Sequence, residues 1–172
     1  MRKKLLLGLM TAWLVMPGAQ AEASTWETDI AKASTNASKA GSYLLLDFSG
    51  SDWCGWCIKL EKEVFSKAEF KDYAKTNLVC VLLDFPHQKS LSKKLKEQNA
   101  ALAKKYGIQG YPTVLILSPD GELVGRTGYQ AGGPKPYVEH LKQMIDKDKL
   151  QRPKGADKKG PAVTPLAAGA NN

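Results

Sequence analysis

The segment Trp53-Cys54-Gly55-Trp56-Cys57 places two cysteines three positions apart in the chain. Thiols at this spacing can close a small disulfide ring, exchange with other disulfides as a dithiol, or contribute two ligands to a metal ion. At the first turn of a helix, unpaired backbone N–H groups and the helix dipole stabilise a thiolate. Such placement lowers a thiol pKa from about 8.5 to about 3.5–7.5.

The neighbouring segments predict a strand before the pair and a helix after it. Residues 43–48 form an apolar run of the buried-strand type, interrupted near its end by Asp47. Residues 49–52 are a short polar loop with good N-cap residues. Beyond Cys57, apolar residues recur at helical spacing: Leu60, Val64 and Phe65. Cys54 is therefore expected at the helix N-terminus, and Cys57 one turn inward, where it is shielded.

Three motifs together resemble the thioredoxin superfamily: Asp47-Phe48, the segment of residues 53–57, and Gly110-Tyr111-Pro112-Thr113. More narrowly, the chain resembles secreted bacterial thioredoxin-like proteins that carry Gly-Ser-Asp-Trp-Cys-x-x-Cys. The resemblance runs from about residue 41 to about residue 145. It implies a thiol–disulfide oxidoreductase in which Cys54 attacks a protein disulfide and Cys57 resolves the mixed disulfide. An inert disulfide staple is the alternative.

Asp47 resembles the buried acid of thioredoxins, although seven positions separate it from Cys54, one more than in the usual pattern. Burial would raise its pKa and make it a proton acceptor for Cys57. An exposed acid at the end of a strand is the alternative. Pro112 resembles the family's cis-proline, which would turn the backbone of Tyr111 towards a substrate chain.

Trp53 matches the family's tryptophan and is expected to pack beside the site. Trp56 stands where the common Cys-Gly-Pro-Cys form has proline. We predict that both tryptophans contact substrate together with Tyr111 and Pro112, and ordinary packing is the alternative for Trp56.

Cys80 lies in the middle of the second predicted strand, where the resemblance implies an inward lysine. We predict a small buried hydrophobe there, with a regulatory third thiol as the alternative. A metal site is not predicted, because only Cys80, His87 and His140 remain and neither a second CxxC nor His-x₃-His occurs. Ile58 follows Cys57 where covalent haem requires histidine. No cofactor is predicted.

The first residues have the pattern of a secretory signal peptide. A basic start at residues 1–4 precedes an apolar stretch at residues 5–16 and an Ala19-Gln20-Ala21 cleavage site. Cleavage after Ala21 would make the protein periplasmic or secreted, and an uncleaved anchor is the alternative. Residues 22–150 are predicted as a thioredoxin-like domain, and residues 151–172 as a disordered tail, because bulky apolar residues are scarce there.

The chain of 172 residues has a formal net charge of +8, part of it in the leader. Nucleic-acid binding is not predicted, because no basic stripe is interleaved with aromatic residues. The predicted element order is αβααβαββα, with a first helix capped by Ser24, a later helix capped by Ser66, and a last helix that follows Pro136. This predicts an α/β thioredoxin-like fold, a mixed sheet flanked by helices. It includes an extra N-terminal helix and an inserted or extended helix at residues 91–106.

Two classes of function remain open from the sequence. The first is an exported thiol–disulfide oxidoreductase that acts on protein disulfides or dithiols, with a reductase or interchange role preferred and a membrane redox partner. The second is a thioredoxin-like binding module whose disulfide is mainly structural. Metal delivery is a distant third. The oligomeric state is not predicted.

Overall fold

The computed structural model describes residues 26–152. The predicted signal peptide and all but the first two residues of the predicted tail lie outside the described residues. The elements follow the predicted order: α1 (Ile30–Ala40), β1 (Tyr43–Ser49), α2 (Gly55–Leu60), continued by a π-helical turn (Glu61–Phe65), α3 (Ala68–Asn77), β2 (Leu78–Asp84), α4 (Lys93–Lys105), β3 (Thr113–Leu117), β4 (Leu123–Thr127) and α5 (Pro134–Gln151).

The four strands form one mixed sheet in the order β2-β1-β3-β4. β1 runs parallel to β2 and antiparallel to β3, and β4 pairs antiparallel with β3. The parallel pair is joined through helices, as a parallel connection requires. This arrangement confirms the predicted thioredoxin-like architecture and brings the C-terminal end of β1, with Asp47, to the centre of the sheet.

Alternate residues of the strands enter two separate hydrophobic cores, because side chains alternate between the faces of a sheet. The first core packs under α2, α3 and α5: Tyr43, Leu45, Leu60, Val64, Phe65, Phe70, Ala74, Leu78, Cys80, Val114, Ile116, Tyr137, Val138, Leu141 and Ile145. The second core packs under α1 and α4: Ile30, Ala33, Ala37, Leu44, Leu46, Phe48, Val81, Leu83, Leu102, Leu115 and Leu117.

The first helix begins later than the Ser24 capping box predicts. Its N-cap is Asp29, whose side chain accepts hydrogen bonds from the N–H groups of Ala31 and Lys32. The preceding Glu27 pairs with the edge of β2 instead, through backbone bonds of 2.9 Å to Cys80 and Leu82. This pairing satisfies backbone N–H and C=O groups at the open edge of β2. The helix ends at Gly41, which has φ of 64° as a left-handed cap residue.

Two other helix starts also differ from the sequence predictions. The Ser66 side chain does not cap α3, because its hydroxyl donates to the Lys62 carbonyl of the π-helical turn. The last helix begins at Pro134, not after Pro136. Proline is tolerated in a first helical turn, where no intrahelical acceptor exists for its missing N–H. Within residues 26–152, no helix combines the length and the hydrophobicity needed to cross a membrane.

Candidate active site

Cys54 and Cys57 form a disulfide at the start of α2, with 5.2 Å between their Cα atoms. Cys54 is the N-cap of the helix, and its Sγ accepts a hydrogen bond of 3.2 Å from the N–H of Cys57. This interaction favours negative charge on Cys54. The two cysteines are almost equally buried, at 7% and 4% exposure. The predicted difference in exposure is therefore small in the oxidised form.

Asp47 lies inside the protein rather than at an exposed strand end, and it is 6% exposed. It shares a cleft of about 380 Å³ with Cys57. The lining residues are Trp26, Asp47, Ser49, Ser51, Cys57, Ile58, Glu61, Lys62 and Leu82. Burial, reinforced by the charges of Glu61 and Asp84, raises the pKa of Asp47 to about 8. A carboxyl group with this pKa can accept or release a proton near neutral pH.

A second carboxylate, Glu61, stands at the exposed rim of the same cleft. Partial burial raises its pKa, opposed by the charge of Lys71. Glu61 is not among the residues that the sequence predicts for the site. The available signal was its position four residues after Cys57, which places both side chains on one helical face.

Trp53 is held in a defined orientation beside the disulfide. Its Nε1 donates to the Phe85 carbonyl at 2.7 Å. The indole stacks on His87 with 4.4 Å between ring centroids and meets the edge of Tyr111 at 5.8 Å. The ring also covers Gly50, where a Cβ atom would lie 2.5 Å from the indole. A side chain at this position would therefore force the indole ring to shift.

Asp52 fastens the redox loop to the loop that follows β2. Its carboxylate accepts hydrogen bonds from the backbone N–H groups of His87, Gln88 and Lys89, at 2.8–3.1 Å. These bonds, that of His87 above all, lower the pKa of Asp52. The carboxylate thus orders the loop that carries His87, the stacking partner of Trp53. The sequence predicts Asp52 only as a helix-cap candidate, and its role in fastening the two loops is visible only in the structure.

The peptide bond between Tyr111 and Pro112 is cis, as the sequence predicts. Tyr111 contacts both Trp53 and Phe85, whose ring centroid lies 5.2 Å from its own. The Pro112 carbonyl faces the start of the segment after β4, where a Cβ atom on Gly128 would approach it to 3.0 Å. The structure therefore brings Tyr111 and Pro112 to the same end of the sheet as the redox loop.

Trp56 belongs to a different aromatic group. It is 58% exposed, and its ring lies 5.2 Å from that of Tyr129. Lys59 Nζ stands 5.2 Å from the Trp56 ring and 5.1 Å from the Tyr129 ring. The Tyr129 hydroxyl donates a hydrogen bond of 2.6 Å to the Glu63 carboxylate, which holds the Tyr129 ring in place. Tyr129 is not among the residues that the sequence predicts for the site.

Cys80 is a buried free thiol in the first core, 4% exposed. Burial and the charge of Asp47 raise its pKa to about 12. It therefore stays protonated and packs as the small hydrophobe that the sequence predicts. In the part of the chain that the structure describes, no group of three or more His, Cys, Asp or Glu side chains is placed to hold a metal ion.

Comparison with known proteins agrees with this geometry. Residues 30–145 match the thioredoxin-like domain family. The chain is 31% identical over 120 residues to the disulfide bond reductase DsbH of Chlamydia pneumoniae, covering 70% of this chain and 72% of that protein. The solved structure of a DsbH oxidoreductase superposes with a TM-score of 0.69 at 29% identity, over 81% of this chain and 95% of that one.

A thioredoxin from Thermus thermophilus shares the fold, with a TM-score of 0.55 at 18% identity, over 72% of this chain and 90% of that one. The matching domain includes the disulfide, the buried acid and the cis-proline. The chain therefore belongs to the thioredoxin-like domain family, as a thiol–disulfide oxidoreductase that exchanges disulfides with protein substrates through the active-site pair Cys54–Cys57.

Proposed function

We propose that this oxidoreductase acts as an exported reductase of protein disulfides. The observation that carries the proposal is that three features lie together at one site. These are a cysteine sulfur at the N-cap of α2, a second sulfur one turn inward, and a buried carboxyl group in the cleft that Cys57 lines. The similarity to a protein named as a disulfide bond reductase supports the direction of electron flow.

The reduction follows two exchange steps. Cys54, as thiolate, attacks one sulfur of the substrate disulfide, and the other substrate sulfur leaves as a thiolate. Asp47 then accepts the proton of Cys57, whose sulfur attacks Cys54 in the mixed disulfide. The products are the Cys54–Cys57 disulfide and a substrate dithiol, so two electrons pass to the substrate. A membrane dithiol partner would restore the reduced enzyme.

The surface around the disulfide supports a protein substrate. Trp53, Trp56 and Ile58 are exposed by 42%, 58% and 47%, and each flanks the cysteines in the chain. Exposed apolar side chains on either side of a reactive pair are typical of an interaction surface. We assign substrate contacts to Trp53 and Trp56, and to the backbone beside the cis bond of Tyr111 and Pro112.

We propose export from the leader pattern of residues 1–21, and the mass of the mature protein tests this proposal directly. The mature protein isolated from the periplasm or the medium should have the mass of a chain that begins at Glu22. A full-length mass in the membrane fraction would instead indicate an uncleaved anchor.

The test of function is turnover with insulin as the disulfide substrate and dithiothreitol as the electron source. We expect Cys54→Ser to abolish turnover, and Cys57→Ser to accumulate a mixed disulfide. Cys80→Ser is the matched control and should keep full activity, because Cys80 is buried and protonated. Turnover retained in Cys54→Ser would refute the proposal and favour a binding module with a structural disulfide.

Equilibration with glutathione tests the direction. A reductase should have a potential near that of thioredoxin, about −270 mV, whereas a strong oxidant lies near about −120 mV. A value near the second figure would contradict the reductase assignment and leave the exchange chemistry intact.

A further inference from the structure

Asp47 and Tyr137 occupy the same side of the sheet, although ninety positions separate them in the chain. Asp47 follows Leu45 at the two-residue period of β1, so its side chain is directed to the first core. Its cross-strand neighbours are Leu82 in β2 and Val114 in β3. Tyr137 enters that core from α5 and is 1% exposed, and Val114 of β3 belongs to the same core.

Each residue has a buried polar atom that lacks a hydrogen-bond partner among the described residues. These atoms are Oδ1 of Asp47 and the hydroxyl oxygen of Tyr137. Such atoms are rare in folded proteins, because removing them from water without a partner costs free energy. Their chemistry is complementary, since a phenol donates one hydrogen bond and a carboxylate can only accept.

The charges around Asp47 oppose its ionisation, so a hydrogen-bond donor is needed to stabilise the carboxylate. Glu61 and Asp84 both oppose its ionisation, and the Cys80 thiol is neutral. Lys62 lines the outer cleft. On α5, His140 bonds Thr127 at 3.1 Å and stands 6.5 Å from the Tyr137 ring.

Tyr137 is a donor that keeps its proton in this core. Burial raises the pKa of the Tyr137 hydroxyl, and the charge of Asp47 adds to that effect. The hydroxyl therefore stays protonated and able to donate at every pH at which the protein works.

We propose that the Tyr137 hydroxyl donates a hydrogen bond to the inward oxygen of ionised Asp47 through one bridging water molecule. The bond favours the carboxylate over the acid, so a fraction of Asp47 remains ionised near neutral pH and ready to accept the Cys57 proton. Tyr137 is thus a positioning residue that acts through Asp47. The effect of this bond on the Cys57 proton rests on the proposed proton-acceptor role of Asp47. The hydrogen bond itself can be tested without catalysis.

The test is a carbon-13 NMR titration of the Asp47 carboxyl group in the full-length reduced protein, with the signal assigned by its loss in Asp47→Asn. In Tyr137→Phe the midpoint should rise by about one pH unit, a tenfold change in the ionisation constant. Phenylalanine keeps the ring that packs edge-on against Phe65 at 5.9 Å. An unchanged midpoint would overturn the proposal.

Tyr106→Phe is the matched control. Its hydroxyl is also buried and unpartnered within residues 26–152, but it packs against the second core, and the charge that adds to the burial effect on its pKa is Glu122. We expect no shift of the Asp47 midpoint there. An equal shift in both variants would show a general packing effect and refute the specific bond.

A second measurement needs no substitution. The ring carbon that bears the Tyr137 hydroxyl should shift in a step centred on the Asp47 midpoint, and the same carbon of Tyr106 should not. Absence of that step would also refute the bond. If the midpoint moves in Tyr137→Phe while resolution of the mixed disulfide keeps its rate, the bond stands and the catalytic role of Asp47 fails.

Discussion

The two faces of the central sheet are built from neighbouring residues of the same strands, yet they differ in chemistry. In β1, Leu44, Leu46 and Phe48 enter the second core, which joins apolar side chains from α1 and α4. Tyr43 and Leu45 alternate with them in the first core, and Asp47 continues that side towards the disulfide.

The difference teaches where this protein carries its buried reactive groups. Among the described residues, Asp47 and Cys80 lie on the first-core side, whereas the unpartnered buried hydroxyls divide between the two sides: that of Tyr137 on the first, those of Ser34 and Tyr106 on the second. Both cores bury apolar side chains and so contribute to stability. The first-core side is the reactive one, because its buried carboxyl group has a pKa raised to about 8 and shares a cleft with Cys57.

Asp47→Asn should break this contrast most strongly. We expect resolution of the mixed disulfide to slow by about 100-fold or more at pH 7, because a general base contributes about 10²–10⁴-fold. Stopped-flow measurement of substrate release checks the rate. A rate within a few-fold of the unsubstituted enzyme would show that Cys57 loses its proton by another route.

The same substitution should stabilise the protein in a pH-dependent way. The folded-state pKa of about 8 lies above the ordinary 3.8, so the folded protein keeps a proton that the unfolded chain has lost between these values. Stability of the unsubstituted protein therefore falls by about 1.4 kcal/mol per pH unit as the pH rises through this window. Urea unfolding of Asp47→Asn should lack this slope, and an identical slope in both proteins would contradict the assignment.

Leu45→Ala and Leu46→Ala form a matched pair across the sheet, since both side chains are fully buried. Each should lower the free energy of unfolding by about 2–5 kcal/mol. Only Leu45→Ala opens a cavity on the side of Asp47, and water entering there would lower the Asp47 pKa. Urea unfolding and the carboxyl titration together check this. Equal shifts of the Asp47 midpoint in both variants would remove the distinction between the two faces.

Gly50→Ala tests the loop that joins β1 to the disulfide. The added Cβ would lie 2.5 Å from the Trp53 indole, so the ring should move off His87 at a cost of about 1–3 kcal/mol in stability. Tryptophan fluorescence and urea unfolding report the change. Gly55→Ala is the control, because nothing lies within 4 Å of a Cβ atom at that position, and it should be nearly neutral. An unperturbed Trp53 in Gly50→Ala would contradict the close approach.

Trp56→Ala should have the smallest effect. It tests substrate binding without disturbing the packing of either core. With 58% of the side chain exposed, stability should change by less than about 0.5 kcal/mol. The KM for a protein disulfide should rise about fivefold, equivalent to about 1 kcal/mol, while a small-molecule disulfide reacts as before. Equal losses with both substrates would place Trp56 in the chemistry rather than in substrate contact.

Much of the architecture was predictable because its signals are local. The element order and the mixed sheet flanked by helices follow from apolar runs, turn residues and strand connections. Helix starts were less predictable. Asp29 replaced Ser24 as the first cap because the open edge of β2 took Glu27 into the sheet, and that competition involves residues more than fifty positions away.

By itself the sequence determined the reactive pair and its place at a strand-to-helix junction, because both depend on residues close together in the chain, and its resemblance to the thioredoxin superfamily indicated the cis-proline. Only the tertiary structure decided that Asp47 is buried, that Glu61 shares its cleft and that Tyr137 faces the same core. Burial and the sum of surrounding charges set a pKa, and both arise only when distant segments pack together.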